Sequence, residues 1–412
     1  MTADASTGAV PEAVADGNGI PAHFRRWWES VRAGDVGSLP IIVGLLLIAV
    51  FFQTKNENFL TAGNMSNLIV QLAGTTVIAM GVVFVLLLGE IDLSIGFVSG
   101  IAGVVVAELQ VGGNWTEIPG WAAIVVAVLV CAGIGLTEGS FVAFVGVPSF
   151  IVTLAFLLAL QGVIQKLIGV TGVIVIQDKT IFNVANYFLS DFWGWVVAAI
   201  GIALYAFSTL SGVVSRRRHG IQSDNLVLVA LRLAAVIATI VFVVWWLNDK
   251  ARGFPVVGLI VIVLLVFLTW VAKRTTFGRH VYAVGGNAEA ARRAGINVRI
   301  IRWWVFGISG AMAGLGGVIF ASRLSSVDLN AGSGTILLDA IAAAVIGGTS
   351  LFGGRGEVKS ALLGALIIAS IANGMSLLGY SSATQFIVTG IILLAAVTLD
   401  TISRRRLAAS GR

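Results

Sequence analysis

The sequence predicts an all-α polytopic membrane protein, a helical bundle of about 10 to 12 transmembrane helices. Of its 412 residues, 58% are hydrophobic and only 11% are charged, and the mean hydropathy is +0.98. A water-soluble domain does not need so much apolar sequence. The net charge is +6, but the basic residues lie in the gaps between apolar runs, which indicates membrane topology rather than nucleic-acid binding.

The apolar runs define the predicted elements in order. Residues 1–37 are small, polar and acidic, and they predict a disordered cytoplasmic tail. The run from Leu39 to Phe52 is interpreted as a retained first helix, because no small-residue cleavage site of a signal peptide follows it directly. Residues 404–412 form a basic cytoplasmic tail after a membrane domain over 38–403. Within that domain, further apolar runs predict helices near 68–89, 94–110, 120–141, 149–168, 191–211, 226–247, 254–272, 303–322, 335–352, 358–378 and 383–402, which makes twelve with the first.

The distribution of lysine and arginine orients these helices. With both termini cytoplasmic, nineteen basic residues lie on the cytoplasmic side and five on the opposite side. Because cytoplasmic loops carry an excess of Lys and Arg, this ratio predicts that both termini are inside. If the pair of helices at 191–247 did not cross, ten would remain and the other orientations would be unchanged.

Small residues crowd several of the predicted helices. In "GISGAMAGLGG", Gly307–Gly317, Gly310 and Gly314 stand four residues apart. Small residues at this spacing let helix backbones approach closely, since helix association in lipid depends on packing. We therefore favour helix packing over a gating hinge. The single Cys131 lies in an apolar run and predicts a packing role as well, because one thiol forms neither an internal disulfide nor a metal cluster.

The longest charged gap, 273–302, contains a short segment with helix signals at both ends. Asn287 is a good N-cap, and Glu289 lies in the first turn, where the helix dipole favours an acid. Two arginines fall in the last turn, and Gly295 stands where a helix ends. The pattern predicts a two-turn helix over 288–294, parallel to the membrane, with a basic and alanine-lined surface. The alternative, a solvated basic loop, explains the arginines but not the signals at both ends.

At these residues the sequence resembles a known family. "EAARRAG", Glu289–Gly295, resembles the cytoplasmic EAA-xxx-G loop of ABC importer permeases, which docks in a groove of the ATPase subunit. Ordered motifs between about residues 40 and 403 are similar to the permease subunits of monosaccharide ABC importers, the ribose and xylose group, and most similar to its xylose members. These motifs are "VPSFIVTLAF" (Val147–Phe156), "LNDKARGFP" (Leu247–Pro255), "RTTFGRHVYAVGGNAEAARRAGINV" (Arg274–Val298), "LDAIAAAVIGGTSLFGG" (Leu338–Gly354) and "ANGMSLLG" (Ala372–Gly379).

The resemblance implies the ABC importer permease fold, a permease homodimer or occasionally a heterodimer, cytoplasmic ATPase subunits and an extracytoplasmic sugar-binding protein. It also implies that the partner ATPase binds ATP and Mg, that this chain binds no cofactor, and that a monosaccharide is carried, with xylose favoured. Residues 273–302 would then be a coupling loop, and 191–247 a helix pair inserted relative to ribose-type permeases. The residues implied in coupling to the ATPase are Asn287, Glu289, Ala290, Ala291, Arg292, Gly295 and Ile296.

Two positions depart from the family pattern. Ala294 stands where these sugar permeases often have serine, which is a mild change. Glu138, in "LTEGSF", occupies a place where an amide or a small residue is expected. The second departure leaves the substrate open.

Several polar residues fall at or near membrane depth, where ionisable groups are functional candidates. Glu90, Asp92 and Ser94 lie at a break between two helices, which predicts either a half-helix lining the pathway or a tight turn that caps the next helix. Asp339 could bind sugar hydroxyls or hold the preceding loop, and Asn373 could face the pathway or bond a neighbouring helix. Three further charged residues in predicted helices are interpreted as snorkelling or paired: Glu138, Lys166 and Arg232.

The sequence contains no catalytic motif that we recognise, so we predict that the chain is not an enzyme. "GGRGEVKS", Gly353–Ser360, fails as a phosphate-binding loop because Val358 precedes the lysine where glycine is needed. Ser309 lies in "GISG", which is found in intramembrane serine proteases, but all three histidines fall in cytoplasmic segments and cannot act as its base. The sequence has no H-E-x-x-H metal site.

A second class of function remains open. A proton-coupled secondary sugar transporter would use Glu138 or Asp92 to bind the proton. Such transporters are often built from internal repeats with matched broken helices, and the sequence shows no clear repeat.

Overall fold

The computed structural model describes residues 39–110, 118–219 and 226–409. The predicted tail over 1–37 and the last three residues of the predicted tail over 404–412 lie outside this range. The described residues are almost entirely helical, with two strands of three residues each. This confirms the all-α fold class.

The helices follow one another in chain order within the described residues. They are α1 (Leu39–Lys55), α2 (Ala62–Leu87), α3 (Ile95–Glu108), α4 (Gly120–Ser140), α5 (Ser149–Ile168), α6 (Lys179–Asn186), α7 (Asp191–Arg218), α8 (Leu226–Lys250), α9 (Val256–Arg274), α10 (Thr276–Gly286), α11 (Ala288–Arg293), α12 (Val298–Leu324), α13 (Ile336–Ile346), α14 (Lys359–Leu377) and α15 (Ser382–Ala409). A π-helical turn, Phe141–Val145, extends α4, and a 3₁₀ turn, Gly169–Thr171, extends α5. The strands are β1 (Val173–Val175) and β2 (Ser326–Asp328).

Eight helices of the described chain are long and apolar enough to cross a membrane: α2, α4 with its π-helical turn, α5, α7, α8, α9, α12 and α14. Four shorter apolar helices lie at Ile41–Lys55, Ile95–Glu108, Ile336–Ile346 and Ser382–Ala395. Each of the twelve predicted apolar segments therefore contains one apolar helix.

The predicted helix over 335–352 is wrong in its second half. α13 ends at Ile346 because two glycines follow, and Gly348 has φ +103°, a value that a right-handed helix cannot use. α12, in contrast, begins five residues before the predicted start of 303, at Val298, because the Asn297 side chain caps it. Both differences arise from residues at the helix ends rather than from the apolar pattern.

The described chain divides into two compact units. One consists of Val196–Val243 and contains most of α7 and α8. The other contains the described residues of 38–195 and 244–412. All residues discussed in the following sections belong to this second unit.

Among the membrane-length helices of the second unit, α2 and α12 are the most buried, with 78% of the apolar window of each buried. α12 crosses α4 with almost no side-chain material between the backbones. A Cβ atom on Gly310 would overlap the carbonyl oxygen of Cys131, and one on Gly314 would lie 3.0 Å from the Cys131 Cβ. The buried Cys131 thiol donates to the Val98 carbonyl at 3.2 Å. Gly310, Gly314 and Cys131 thus have the packing role that the sequence predicts.

A small antiparallel ribbon, which the sequence analysis did not predict, joins distant parts of the chain. β1 pairs with β2, with Ile174 opposite Val327. Beneath it, the Ser322 hydroxyl near the end of α12 donates to the Phe182 carbonyl at 2.9 Å and accepts from the Ala185 backbone N–H at 2.9 Å. The ribbon and α6 therefore fix the C-terminal end of α12.

Candidate functional site

The short helix α11 has a defined structure at both ends. The Asn287 Oδ1 atom accepts a hydrogen bond from the Ala290 backbone N–H at 2.9 Å. At the other end Gly295 adopts φ +85°, and the Ile296 N–H reaches back to the Ala291 carbonyl at 3.1 Å. Together with the Gly295 N–H to Arg292 carbonyl bond of 3.0 Å, this is a Schellman motif. The helix predicted over 288–294 is therefore present as Ala288–Arg293.

The charges on α11 pair with one another. Glu289 contacts Arg292 at 2.8 Å and Arg293 at 3.2 Å, and the three side chains are 51%, 71% and 79% exposed, respectively. Exposed pairs of this kind contribute at most about 1 kcal/mol to stability. The pairs hold both arginine side chains against Glu289, and Ala290 beside them is exposed.

The seven residues implied in coupling divide into two groups. Ala291 is 5% exposed and Ile296 is half-buried, and both pack against the core of the protein. These two residues attach α11 to the rest of the fold. The exposed group, which is available to another molecule, consists of Asn287, Glu289, Ala290, Arg292 and Gly295.

The helix α10, just before α11, rests directly on the backbone of two other segments. A Cβ atom on Gly285 would overlap the Leu87 carbonyl oxygen at the end of α2 and would lie 2.9 Å from the Gly354 nitrogen. The Gly354 N–H donates to that same Leu87 carbonyl at 2.9 Å. We call this contact of Leu87, Gly285 and Gly354 the glycine junction. The Tyr282 hydroxyl supports it by donating to the Gly356 carbonyl at 2.8 Å.

A carboxylate with two lysine partners holds the loop that contains Gly354. Glu357 contacts Lys273 at the end of α9 at 2.7 Å and Lys359 at the start of α14 at 2.6 Å. Partial burial raises the pKa of Glu357, but the hydrogen bonds from the two lysines outweigh it and hold the pKa below its ordinary value. Burial and the negative charge of Glu357 raise the pKa of Tyr282. The tyrosine is therefore a stable donor at neutral pH.

The lowered pKa of Glu357 predicts a pH dependence. The ionised carboxylate stabilises the folded state above the ordinary glutamate pKa of about 4.3, and this contribution is lost as the pH falls through the lowered folded-state value. Because the carboxylate is partly exposed, we expect the contribution to be below about 1 kcal/mol. Thermal unfolding of the purified protein should show Glu357→Gln less stable than wild type at pH 7. An equal deficit well below pH 4 would contradict this assignment.

On the other side of α11, α12 pairs with the break between α2 and α3. The Arg302 Nε atom lies 3.1 Å from the Glu90 carboxylate, and the two side chains are 33% and 15% exposed. The pair joins the first turns of α12 to the segment that follows the Leu87 carbonyl. Glu90 therefore has a structural partner within this chain.

The residues after Glu90 form a tight turn. The Asp92 Oδ1 atom accepts from the Ser94 backbone N–H at 3.0 Å and from the Ser94 hydroxyl at 2.7 Å. The Ser309 hydroxyl of α12 donates to Asp92 Oδ2 at 3.4 Å. Asp92 is 6% exposed, and Ser94 and Ser309 are fully buried. The geometry favours the turn interpretation, in which the carboxylate orders the start of α3.

Glu138 is a buried acidic side chain whose carboxylate oxygens have no hydrogen-bond partner among the described residues. It is 1% exposed on α4 and faces the turn of Asp92 and Ser94. Within the described residues, neither carboxylate oxygen meets the geometry of a hydrogen bond.

The other two candidates lie elsewhere. Asn373 of α14 exchanges hydrogen bonds with the Asn64 side chain of α2, at 2.8 and 3.0 Å, so it bonds a neighbouring helix. Asp339 lies in the first turn of α13 and is partly exposed. The structure therefore groups Glu90, Asp92 and Ser94 near α12, and it leaves Asp339 and Asn373 outside that group.

Comparison with known proteins agrees with this architecture. The model of the family described as "Branched-chain amino acid transport system / permease component" matches residues 64–397. The xylose transport system permease protein of Escherichia coli (strain K12) is 40% identical over 369 residues, which covers 89% of this chain and 92% of the relative. The ribose import permease protein of the same strain is 32% identical over 359 residues, covering 87% and 92%.

A third relative, the D-allose transport system permease protein of Escherichia coli (strain K12), is 32% identical over 380 residues, covering 92% of this chain and 94% of the relative. No solved structure matches this chain significantly. The family match spans most of the membrane helices and includes α11, the glycine junction and the Asp92 turn. The chain therefore belongs to the membrane permease family whose model describes the permease component of the branched-chain amino acid transport system.

Proposed function

We propose that this chain is the membrane-spanning permease subunit of an ABC importer and forms the translocation pathway for a monosaccharide. Xylose is the first candidate, because the relative at 40% identity is a xylose permease. In this proposal two permease subunits, two cytoplasmic ATPase subunits and an extracytoplasmic sugar-binding protein form the importer. ATP and Mg are bound by the ATPase partner, and this chain binds no cofactor.

The observation that carries the proposal is the structure of α11. A helix of six residues is marginal in water on its own, yet this one has a side-chain N-cap, a Schellman motif and a buried face. Its remaining surface leaves Ala290 exposed beside charged side chains that are already paired. A rigid, exposed helix with a small residue at its centre is suited to docking in a groove of another protein.

The orientation follows from the distribution of basic residues. With α11 in the cytoplasm, the basic gap 273–302 and both termini lie on the same side, as the positive-inside rule requires. ATP binding would close the ATPase pair and move α11, which shifts the permease between outward-facing and inward-facing populations.

The test uses lipid vesicles that contain the permease together with its ATPase and binding-protein partners. Vesicles with the wild-type permease should take up labelled xylose, ribose or allose only when ATP is present on the side of the membrane where α11 lies. Ala290→Phe places a large ring on the exposed face without touching the buried face, and it should lower uptake at least about tenfold, equivalent to about 1.4 kcal/mol. The ATPase should also fail to co-purify with this variant.

The matched control is Ala383→Phe, which adds the same ring to an exposed alanine at the start of α15, on the opposite side in this orientation. This variant should transport as wild type does. ATP-dependent uptake that is normal in Ala290→Phe would overturn the coupling role of α11.

One observation favours a second function, the proton-coupled secondary sugar transporter. Glu138 is a fully buried carboxyl group, and no described residue gives its oxygens a hydrogen bond. Intramembrane carboxyl groups of this kind occur in proton relays. In the same vesicles, uptake that ignores ATP and stops with a protonophore, and that Glu138→Gln abolishes, would support this function and reject the ATP-driven one.

A further inference from the structure

A cavity of about 400 Å³ lies at the end of α12 that is remote from α11. α3 and α12 form its walls, and β2 and the loop that follows it complete them. The volume lies near the lower end of the roughly 300–1,000 Å³ range of small-molecule sites, so it suits one small molecule. The residues that carry the following argument are Ser99, Gly100, Phe320, Asp328, Asn330 and Gly332, all of which line the cavity.

The loop after β2 is built rigidly against α3. A Cβ atom on Gly100 would overlap the Ala331 carbonyl oxygen, so the loop backbone lies directly on the helix. Gly332 adopts φ +79° and approaches the Gly96 carbonyl in the same way. Asp328 orders the turn, since its Oδ1 atom accepts from the Asn330 backbone N–H at 2.9 Å. The cavity is therefore preformed rather than created by a flexible loop.

Two polar side chains of the cavity, those of Asp328 and Asn330, are free to bind a ligand. Asp328 and Asn330 are exposed, and within the described chain neither Asp328 Oδ2 nor the Asn330 amide group has a hydrogen-bond partner. The Phe320 ring is half-buried and lies close to the Gly74 backbone of α2, so its position is fixed from behind. Ser99 is 2% exposed, and its hydroxyl is occupied by the Gly96 carbonyl at 2.6 Å.

These groups fit the chemistry of a neutral polyol. A carboxylate oxygen accepts from hydroxyls, an amide both donates and accepts, and an aromatic ring offers an apolar surface to C–H groups. The cavity presents one of each, on a wall otherwise made largely of small and apolar residues. In the orientation proposed above, this end of α12 faces the extracytoplasmic side, where a binding protein would deliver its sugar.

We propose that this cavity is a monosaccharide-binding subsite of the permease itself, in which Asp328 and Asn330 bind sugar hydroxyls and the Phe320 ring packs against the sugar. This inference rests on the proposed sugar-import function. It assigns part of the sugar selection to the permease, in addition to any selection by a binding protein.

The first test measures equilibrium binding of labelled xylose, ribose and allose to the purified permease alone. Asp328→Asn is a conservative probe, because the asparagine Oδ1 can still accept from the Asn330 N–H and keep the turn. Loss of a hydrogen bond to a charged group predicts a rise in Kd of about tenfold or more, and Asn330→Ala should produce a similar rise. The matched control is Glu57→Gln, since Glu57 is an exposed acid in the loop between α1 and α2, on the same side.

The second test measures uptake in the vesicles described above, and it separates failure of the subsite from failure of the proposed function. In one outcome, both variants weaken sugar binding, and uptake by the wild-type protein does not depend on ATP. This result would support the subsite and reject the ATP-driven importer. ATP-dependent uptake with unchanged KM in both variants, or no sugar binding to the purified permease, would overturn the subsite and leave the importer intact. A shift of equal size in Glu57→Gln would also overturn it.

Discussion

In the proposed importer, Gly285→Ala should strongly lower ATP-driven uptake, although it adds only one methyl group. That methyl group would overlap the Leu87 carbonyl oxygen and crowd the Gly354 nitrogen, so the glycine junction must open. Neither neighbour is a flexible side chain that could move aside. Overpacking of this kind costs about 1–3 kcal/mol, and here the cost falls on the attachment of α10 and α11. We expect uptake in vesicles to fall at least about tenfold, with the protein still inserted.

The neighbouring glycine provides the control for this prediction. Gly286 has no atom within 4 Å of a built Cβ and is exposed, so Gly286→Ala should transport as wild type does. A readout that does not depend on transport is trypsin cleavage after Arg292 and Arg293, which should become faster only in Gly285→Ala. Equal cleavage and equal uptake in both variants would show that the glycine junction is not needed for coupling.

Gly310→Leu should prevent the membrane bundle from forming its native core. Even the first carbon of the new side chain would overlap the Cys131 carbonyl oxygen, and the Gly135 Cα atom lies 3.2 Å from the same point. α4 and α12 would have to separate along their whole crossing, because the two helices touch through glycines. We expect loss of folded protein in membranes, and destabilisation by about 1–3 kcal/mol or more for the milder Gly310→Ala.

Gly133 of α4 is the matched control for Gly310. It lies in the same pair of helices but has open space around a built Cβ. Gly133→Ala should be neutral or stabilising, since alanine is favoured over glycine in a helix by up to about 1 kcal/mol. Thermal unfolding in detergent compares the two alanine variants directly. A Gly310→Ala protein as stable as Gly133→Ala would contradict the close helix crossing.

Features encoded by adjacent residues could be predicted from the sequence. The apolar runs gave the membrane helices, and the caps at Asn287 and Gly295 gave α11 to within a residue, because each signal acts within a few residues of the helix end. The turn of Asp92 and Ser94 is also formed by neighbouring residues, and it was one of the two interpretations that the sequence left open. Even the early end of α13 had a local signal in the two glycines after Ile346, which the apolar run concealed.

Features that join distant residues could not be predicted in this way. The glycine junction brings together residues 87, 285 and 354, and nothing in the sequence near any one of them identifies the other two. Asn373 had two open roles until its partner, Asn64, was known. The sequence did not predict the cavity, because Asp328 and Asn330 are typical loop residues. They line a cavity only because the backbone of their loop packs against Gly100. The roles of the coupling and pathway residues stay predictions.

The contacts of the two helices that flank α11 have a mechanical consequence. Gly285 of α10 lies against the Leu87 carbonyl, and Arg302 of α12 pairs with Glu90, so both contacts fall within four consecutive residues, 87–90. We therefore expect a force applied to α11 from either direction to reach one short stretch of chain, which lies between α2 and α3 and contacts α12. In the proposed importer, a small displacement of α11 would act on these three helices at one common point.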